Sequence, residues 1–210
     1  KITAKNLTVG RAAGGNGTLN ADNATINLSG EQFSGGNYFG AALSVDNRGG
    51  NGTATINNST VTITNNTATG AALNVGGSAP NPTGTGVLNL TGGTTVDINA
   101  AAGLGSFNVG YNGNGTANIN NSTVNVNDGG AAYVGRQAAT PATPGSPAVP
   151  AATGVLNLSN GAVLNAGFVG VGVSSAGTGK TLGTAGGTGT VDLGDLGTGG
   201  TINAPRFELG

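Results

Sequence analysis

Three short motifs recur in fixed order along the chain, and this recurrence limits the fold more than any other feature. The first reads apolar-x-apolar, usually followed by glycine. Its clearest copies are Leu7-Thr8-Val9-Gly10, Leu43-Ser44-Val45-Asp46, Leu73-Asn74-Val75-Gly76, Phe107-Asn108-Val109-Gly110 and Ala132-Tyr133-Val134-Gly135. It returns at Gly167-Phe168-Val169-Gly170 and Phe207-Glu208-Leu209-Gly210. The second opens on glycine, as in Gly52-Thr53-Ala54-Thr55-Ile56, Gly115-Thr116-Ala117-Asn118-Ile119 and Gly154-Val155-Leu156-Asn157-Leu158. The third follows a polar turn such as Asn57-Asn58-Ser59, as in Val61-Thr62-Ile63, Val124-Asn125-Val126 and Ile202-Asn203-Ala204.

All three alternate apolar with polar residues, the period of a strand with one buried face. None has the spacing of a helix face. The joints are Gly, Asn, Ser and Asp, which accept left-handed backbone or bond their own main chain. In the shortest repeat Val134 follows Val109 by 25 positions, and that interval holds all three motifs with almost nothing else. Such a unit suits one turn of a parallel β-helix. Longer repeats extend two joints, one after the first strand (residues 136–153) and one after the third (residues 29–42). The expected fold is therefore all-β: a right-handed parallel β-helix, or β-solenoid, of about six three-stranded rungs with loop insertions at two corners. Residues 1–210 read as a single domain, with a stack roughly 30 Å long at ~4.8 Å per rung.

The first ten residues align with the last ten as Ile-x-Ala-x-x-apolar-x-apolar-Gly. Solenoids ordinarily carry atypical capping repeats. No amphipathic cap is legible at either end, so the expectation is a segment of a longer array or a subunit that stacks on other copies. Ile2, Leu7, Val9, Ile202, Phe207 and Leu209 are the candidate stacking residues.

Composition narrows the function. The chain lacks His and Cys, the commonest metal ligands and the commonest general base, and its net charge is −1 with 7% charged residues. No cofactor or metal site is expected, nor a nucleic-acid partner, since no basic footprint exists. No apolar run reaches ~18 residues, so no membrane span is expected. The acids do not recur in phase, and Asp192 with Asp195 is the one close pair, so a carbohydrate-active enzyme ranks last and no catalytic residues are assigned. Outward Asn and Thr columns read first as stabilising ladders, and alternatively as a flat face for glycan or ice. Ice binding wants two regular Thr columns, whereas Thr60-Val61-Thr62-Ile63-Thr64 occurs once.

Two irregular segments are candidate contact loops. One carries Phe33, Tyr38 and Phe39, which either pack over a corner or meet a neighbour. The other begins at Arg136 and includes Pro141, Pro144 and Pro147. Arg11, Arg48 and Arg136 each follow a first-motif strand and read as solvated turn residues or as contacts to an anionic partner.

The pattern Val109-Gly110-Tyr111-Asn112-Gly113-Asn114-Gly115-Thr116-Ala117-Asn118-Ile119 resembles the passenger repeats of bacterial autotransporters and related large surface adhesins. The resemblance spans nearly the whole chain and names a class. It implies a right-handed β-helix at the bacterial cell surface or outside the cell, structural or adhesive, and it fits a chain without cysteine crossing an oxidising periplasm. The expected partners are further copies of the chain, assembling end to end into a filament or side by side, and a glycan or cell-surface ligand. The outer-membrane barrel of that family is not among these residues.

Overall fold

A computed structural model describes residues 1–34, 37–46, 49–77, 84–138, 150–175, 184–195 and 198–210. Among them every regular element is a strand. The second-motif strands Asn16–Asp22, Asn51–Asn57, Thr85–Thr91, Asn114–Asn120, Thr153–Ser159 and Thr188–Asp192 form one sheet in chain order. Each pairs in parallel with the next. The register puts glycine on glycine, from Gly17 and Gly52 through Gly86, Gly115 and Gly154 to Gly189. The reason is close approach. A Cβ at Gly154 would collide with the backbone of Val109 and Gly135, so the preceding turn of chain leaves no room for a side chain.

The third-motif strands stack in the same way: Ile2–Ala4, Thr25–Ser29, Thr60–Asn65 and Thr95–Ala100 pair in parallel. So do the first-motif strands Asn6–Val9, Ala41–Val45, Ala71–Val75 and Gly105–Val109. Here the structure departs from three separate strands per repeat. Thr123–Val134 and Val163–Val171 each run unbroken from the third motif into the first. They join the two columns into one sheet that also takes Thr201–Asn203 and Phe207–Leu209. Both strands lack a loop at that corner, so hydrogen bonding continues around it. The bend in the first is taken up by left-handed backbone at Asp128 and Gly129 (φ 57° and 76°). The all-β architecture of parallel ladders is consistent with a β-solenoid.

The joint after the third strand carries an antiparallel pair, Gln32–Ser34 with Asn37–Phe39. The joint after the first strand carries another, Val173–Ser175 with Thr184–Ala185. Insertions are not limited to these two corners. The joint after the second strand is short in five repeats but extends from Asp192 to Thr201 in the last. That segment closes on itself through Gly200 N–H to Leu193 O (2.8 Å) and Thr198 N–H to Asp195 O (3.1 Å). In four of the short versions Asn23, Asn58, Asn121 and Asn160 supply the left-handed residue, with φ between 44° and 52°. Ser59 Oγ completes its corner, donating to Asn57 O (2.6 Å) and accepting from Ala24 N–H (2.9 Å).

The alternating apolar positions point inward and form one continuous cluster, in which Ile56, Ile63, Leu73, Leu88, Ile98, Phe107 and Ile119 are wholly buried. Side chains of the outermost layers, such as Ile2, Leu7, Leu19, Val191 and Ile202, are only partly covered.

Candidate functional site

The outward positions of the second and third motifs carry amides in register, and the amides bond from layer to layer. On the third-motif face Asn203 Nδ2 donates to Asn165 Oδ1 (2.8 Å), Asn165 to Asn125 (2.7 Å) and Asn125 to Asp97 (2.8 Å). On the second-motif face Asn157 donates to Asn118 and Asn118 to Asn89, both at 2.8 Å. A carboxylate only accepts, so Asp97 fixes the direction of its ladder. Asp22 does the same at a corner, accepting from Asn57 (2.7 Å). In every case the later layer donates to the earlier one. The column through Thr62 holds Asn27 below and Asp97 above, so the threonines do not form two regular files.

On the outward side of the first motif a different cluster forms. The Arg136 guanidinium lies over the rings of Tyr111 (4.8 Å) and Tyr133 (4.5 Å) and donates to Asn108 Oδ1 (3.0 Å). Asn108 in turn donates to Asn74 Oδ1 (2.8 Å), and both amides are buried. Tyr133 packs at a tilt on Phe168 with centroids 5.6 Å apart. Arg206 reaches over Phe168 (5.8 Å) and pairs with the buried Glu208. Cation–π contacts of this partly covered kind contribute about 1 kcal/mol each. Of the three arginines grouped by sequence, Arg136 is thus the centre of a packed cluster, Arg11 is exposed, and Arg48 lies outside the described residues. Phe33, Tyr38 and Phe39 sit on the antiparallel pair, with Phe33 opposite Tyr38. Their side chains, and all of Pro141, Pro144 and Pro147, lie outside the described residues.

Position 46 was visible in the sequence only as a departure from glycine. The residue after six of the seven first-motif strands takes left-handed backbone: Gly10, Gly76, Gly110, Gly135 and Gly172 have φ of 68–83°, and Asp46 has 67°. Its carboxylate is fully buried, and neither oxygen has a hydrogen-bond partner among the described residues. A Cβ at Gly84 would lie 2.5 and 2.7 Å from the two oxygens. Burial pushes the Asp46 carboxyl up to about 6. The Gly50 backbone N–H pulls against that shift without forming a well-aligned bond. Glu31 is the opposite case: Thr67 and then Thr69 donate to its exposed carboxylate and hold it below the ordinary range.

The candidate stacking residues separate onto two end faces. Ile202, Phe207 and Leu209 meet at one end, in an open concavity of about 680 Å³ that is also lined by Val171, Val191, Leu193 and Ala204. Phe207 and Leu209 are 46% and 73% exposed. At the other end Ile2 and Leu7 are partly covered, while Val9 is buried. Comparison of the chain with protein-family models, curated proteins and solved structures returned no match.

Proposed function

We propose that the chain is a non-enzymatic structural or adhesive solenoid of bacterial surface type, acting outside the cell. The observation that carries this reading is the set of amide ladders bonded layer to layer across parallel sheets. Such ladders stiffen a rod and give it broad polar sides. The reading includes a right-handed coil of six rungs, one for each second-motif strand, roughly 30 Å long. The resemblance to autotransporter passenger repeats supports the location at the cell surface, and end-to-end assembly is part of the same reading. A second reading, a flat-face glycan binder, draws on the same ladders, whose outer edges stay partly open to solvent.

Surface binding and electron microscopy test the proposal together. The purified chain is expected to bind cell surfaces or immobilised glycans, or to form fibres whose axial repeat matches six layers. A chain that neither binds nor assembles overturns it. Asn125→Lys with Asn165→Lys separates the two readings. Lost binding with the fold intact marks a recognition face, and lost folding marks a structural ladder.

A further inference from the structure

The outward side of the second-motif sheet is self-complementary about its strand Asn114–Asn120, the fourth of six. We infer that it is a side-by-side interface, at which two copies pack antiparallel around a twofold axis through Thr116 and Asn118. This inference rests on the proposed structural role and names the face, orientation and register of the self-association.

The order of residues along the face comes first. One outward file reads Thr53, Val87, Thr116, Val155 and Thr190 through five layers, the same in both directions from Thr116. The neighbouring file reads Thr55, Asn89, Asn118, Asn157 and Asp192, and its three amides are centred on Asn118. All ten side chains are partly or fully open to solvent, and the four ladders between them keep register without a bulge. A twofold contact brings residue i onto j and j onto i. A second copy turned over about the strand direction achieves this here. Its stack runs the opposite way while its strands keep their direction, so each file lies on its own kind. Thr116 then meets its counterpart, Val87 meets Val155 of the second copy, and Asn89 meets Asn157 of the second copy.

Hydrogen-bonding capacity is the second argument. A side-chain amide has two N–H donors and two acceptor lone pairs. The ladder uses one of each at Asn118, which donates to Asn89 and accepts from Asn157. One donor and one acceptor are left over, so an amide file is its own complement, and amide ladders strengthen the contact of paired sheets. The file beside it is β-branched throughout and therefore stiff, and its two valines add apolar area.

Charge is the third. Asp192 is the one ionisable residue among the ten. The antiparallel arrangement sets it against Thr55 of the second copy, whose hydroxyl is able to donate to a carboxylate. Parallel stacks would instead lay the amide file on the threonine file and leave the amides unmatched. A slip of one layer would oppose valine to threonine. The third-motif side offers no such face, because Asp97 stands in the middle of its file between Thr62 and Asn125. Five layers at ~4.8 Å by five residues at ~3.3 Å make a patch of about 400 Å² per copy, the size of a weak, reversible contact.

Charge placed on the axis tests the inference. In sedimentation equilibrium the unsubstituted chain is expected to gain mass with concentration, with the dimer as the first species above the monomer. Thr116→Lys and Thr116→Glu each set like charge on like charge and are expected to weaken the dimer about a hundredfold. An equimolar mixture of the two variants is expected to recover it, since opposite charges then meet. Asn125→Lys with Asn165→Lys, on the third-motif side, is expected to leave it unchanged. An unsubstituted chain that stays monomeric up to ~1 mM overturns the inference. So do variants that associate as well as the unsubstituted chain, or a mixture that fails to recover the dimer. If circular dichroism shows either Thr116 variant misfolded, hydrogen exchange of the unsubstituted chain at low and high concentration decides. Added protection in the second-motif strands supports the interface, and protection elsewhere or nowhere sinks it. A monomer whose binding to a neutral polysaccharide is lost in both Thr116 variants makes the face a recognition surface and also overturns the inference. A monomer that still binds cell surfaces removes the pairing and leaves the adhesive role. Dimers without surface binding do the reverse.

Discussion

Asp46 occupies a backbone conformation that five other repeats reserve for glycine, and it carries a carboxylate into a site with no partner for it among the described residues. An unpaired buried charge is costly, and the group answers by holding its proton up to a pH of about 6, against 3.8 when solvated. The folded state therefore binds the proton more tightly than the unfolded state. The stabilisation linked to this group is complete below about pH 4 and is lost as pH rises through 6. Two pH units of difference correspond to about 2–3 kcal/mol. Among the described residues no charged side chain contributes to the shift, which comes from burial opposed by the Gly50 N–H. Asp46→Asn keeps the shape and tolerates the backbone conformation but does not titrate. Urea midpoints at pH 4 and 7.5 should show the wild type losing about 2–3 kcal/mol more than the Asn variant across that range. Asp46→Gly should raise the pH 7.5 midpoint, and equal pH dependence in wild type and Asn variant would exclude the assignment.

At the scale of the element, each second-motif strand has glycine as its second residue because the end of the preceding first-motif strand lies where its Cβ would be. In Gly154→Ala the new methyl meets the backbone of Val109 and Gly135, and neither can swing aside as a side chain would. A cost of about 3 kcal/mol is expected, read as a lowered unfolding midpoint. The same substitution at Gly93, whose Cβ position is open, adds only the strain of its positive φ of 80° and should cost less. This glycine column was legible in the sequence, as were the strands and the Asn columns, because a repeated ladder writes each contact several times over. Features that occur once were not legible. The fused strands Thr123–Val134 and Val163–Val171 depend on corners too short to break hydrogen bonding. The long joint before Thr201 depends on how one Gly-rich segment folds back. The bracket around Arg136 draws Tyr111 and Tyr133 from two different layers, and no periodicity announces it. Asp46 stood out as one missing glycine, but its burial follows only from what lies above it.

Taken as a whole, the molecule is a one-dimensional stack in which a layer touches the layers beside it and little else, so its stability approximates a sum of layer and interface contributions. That organisation predicts that a layer can be removed. Excising residues 110–134 joins Val109 to Gly135 and deletes one complete set of motifs. The shortened chain would bring Gly86 onto Gly154 and Leu88 onto Leu156, since both pairs now face the same deleted residues, Gly115 and Ala117. Asn165 would find Asp97 in place of Asn125, an acceptor for an acceptor, so the third-motif ladder closes with its direction unchanged. What does not close is the cation–π bracket, because Tyr111 and Tyr133 leave together while Arg136 keeps its bond to Asn108. The excised chain should retain a strand-type circular dichroism spectrum and unfold cooperatively at a lower midpoint. A second excision that keeps Tyr111 and Tyr133 while removing a different layer should lose less. Collapse of cooperativity in both would mean that the layers are not interchangeable, and that the stack is held by contacts longer in range than the ladder between neighbours.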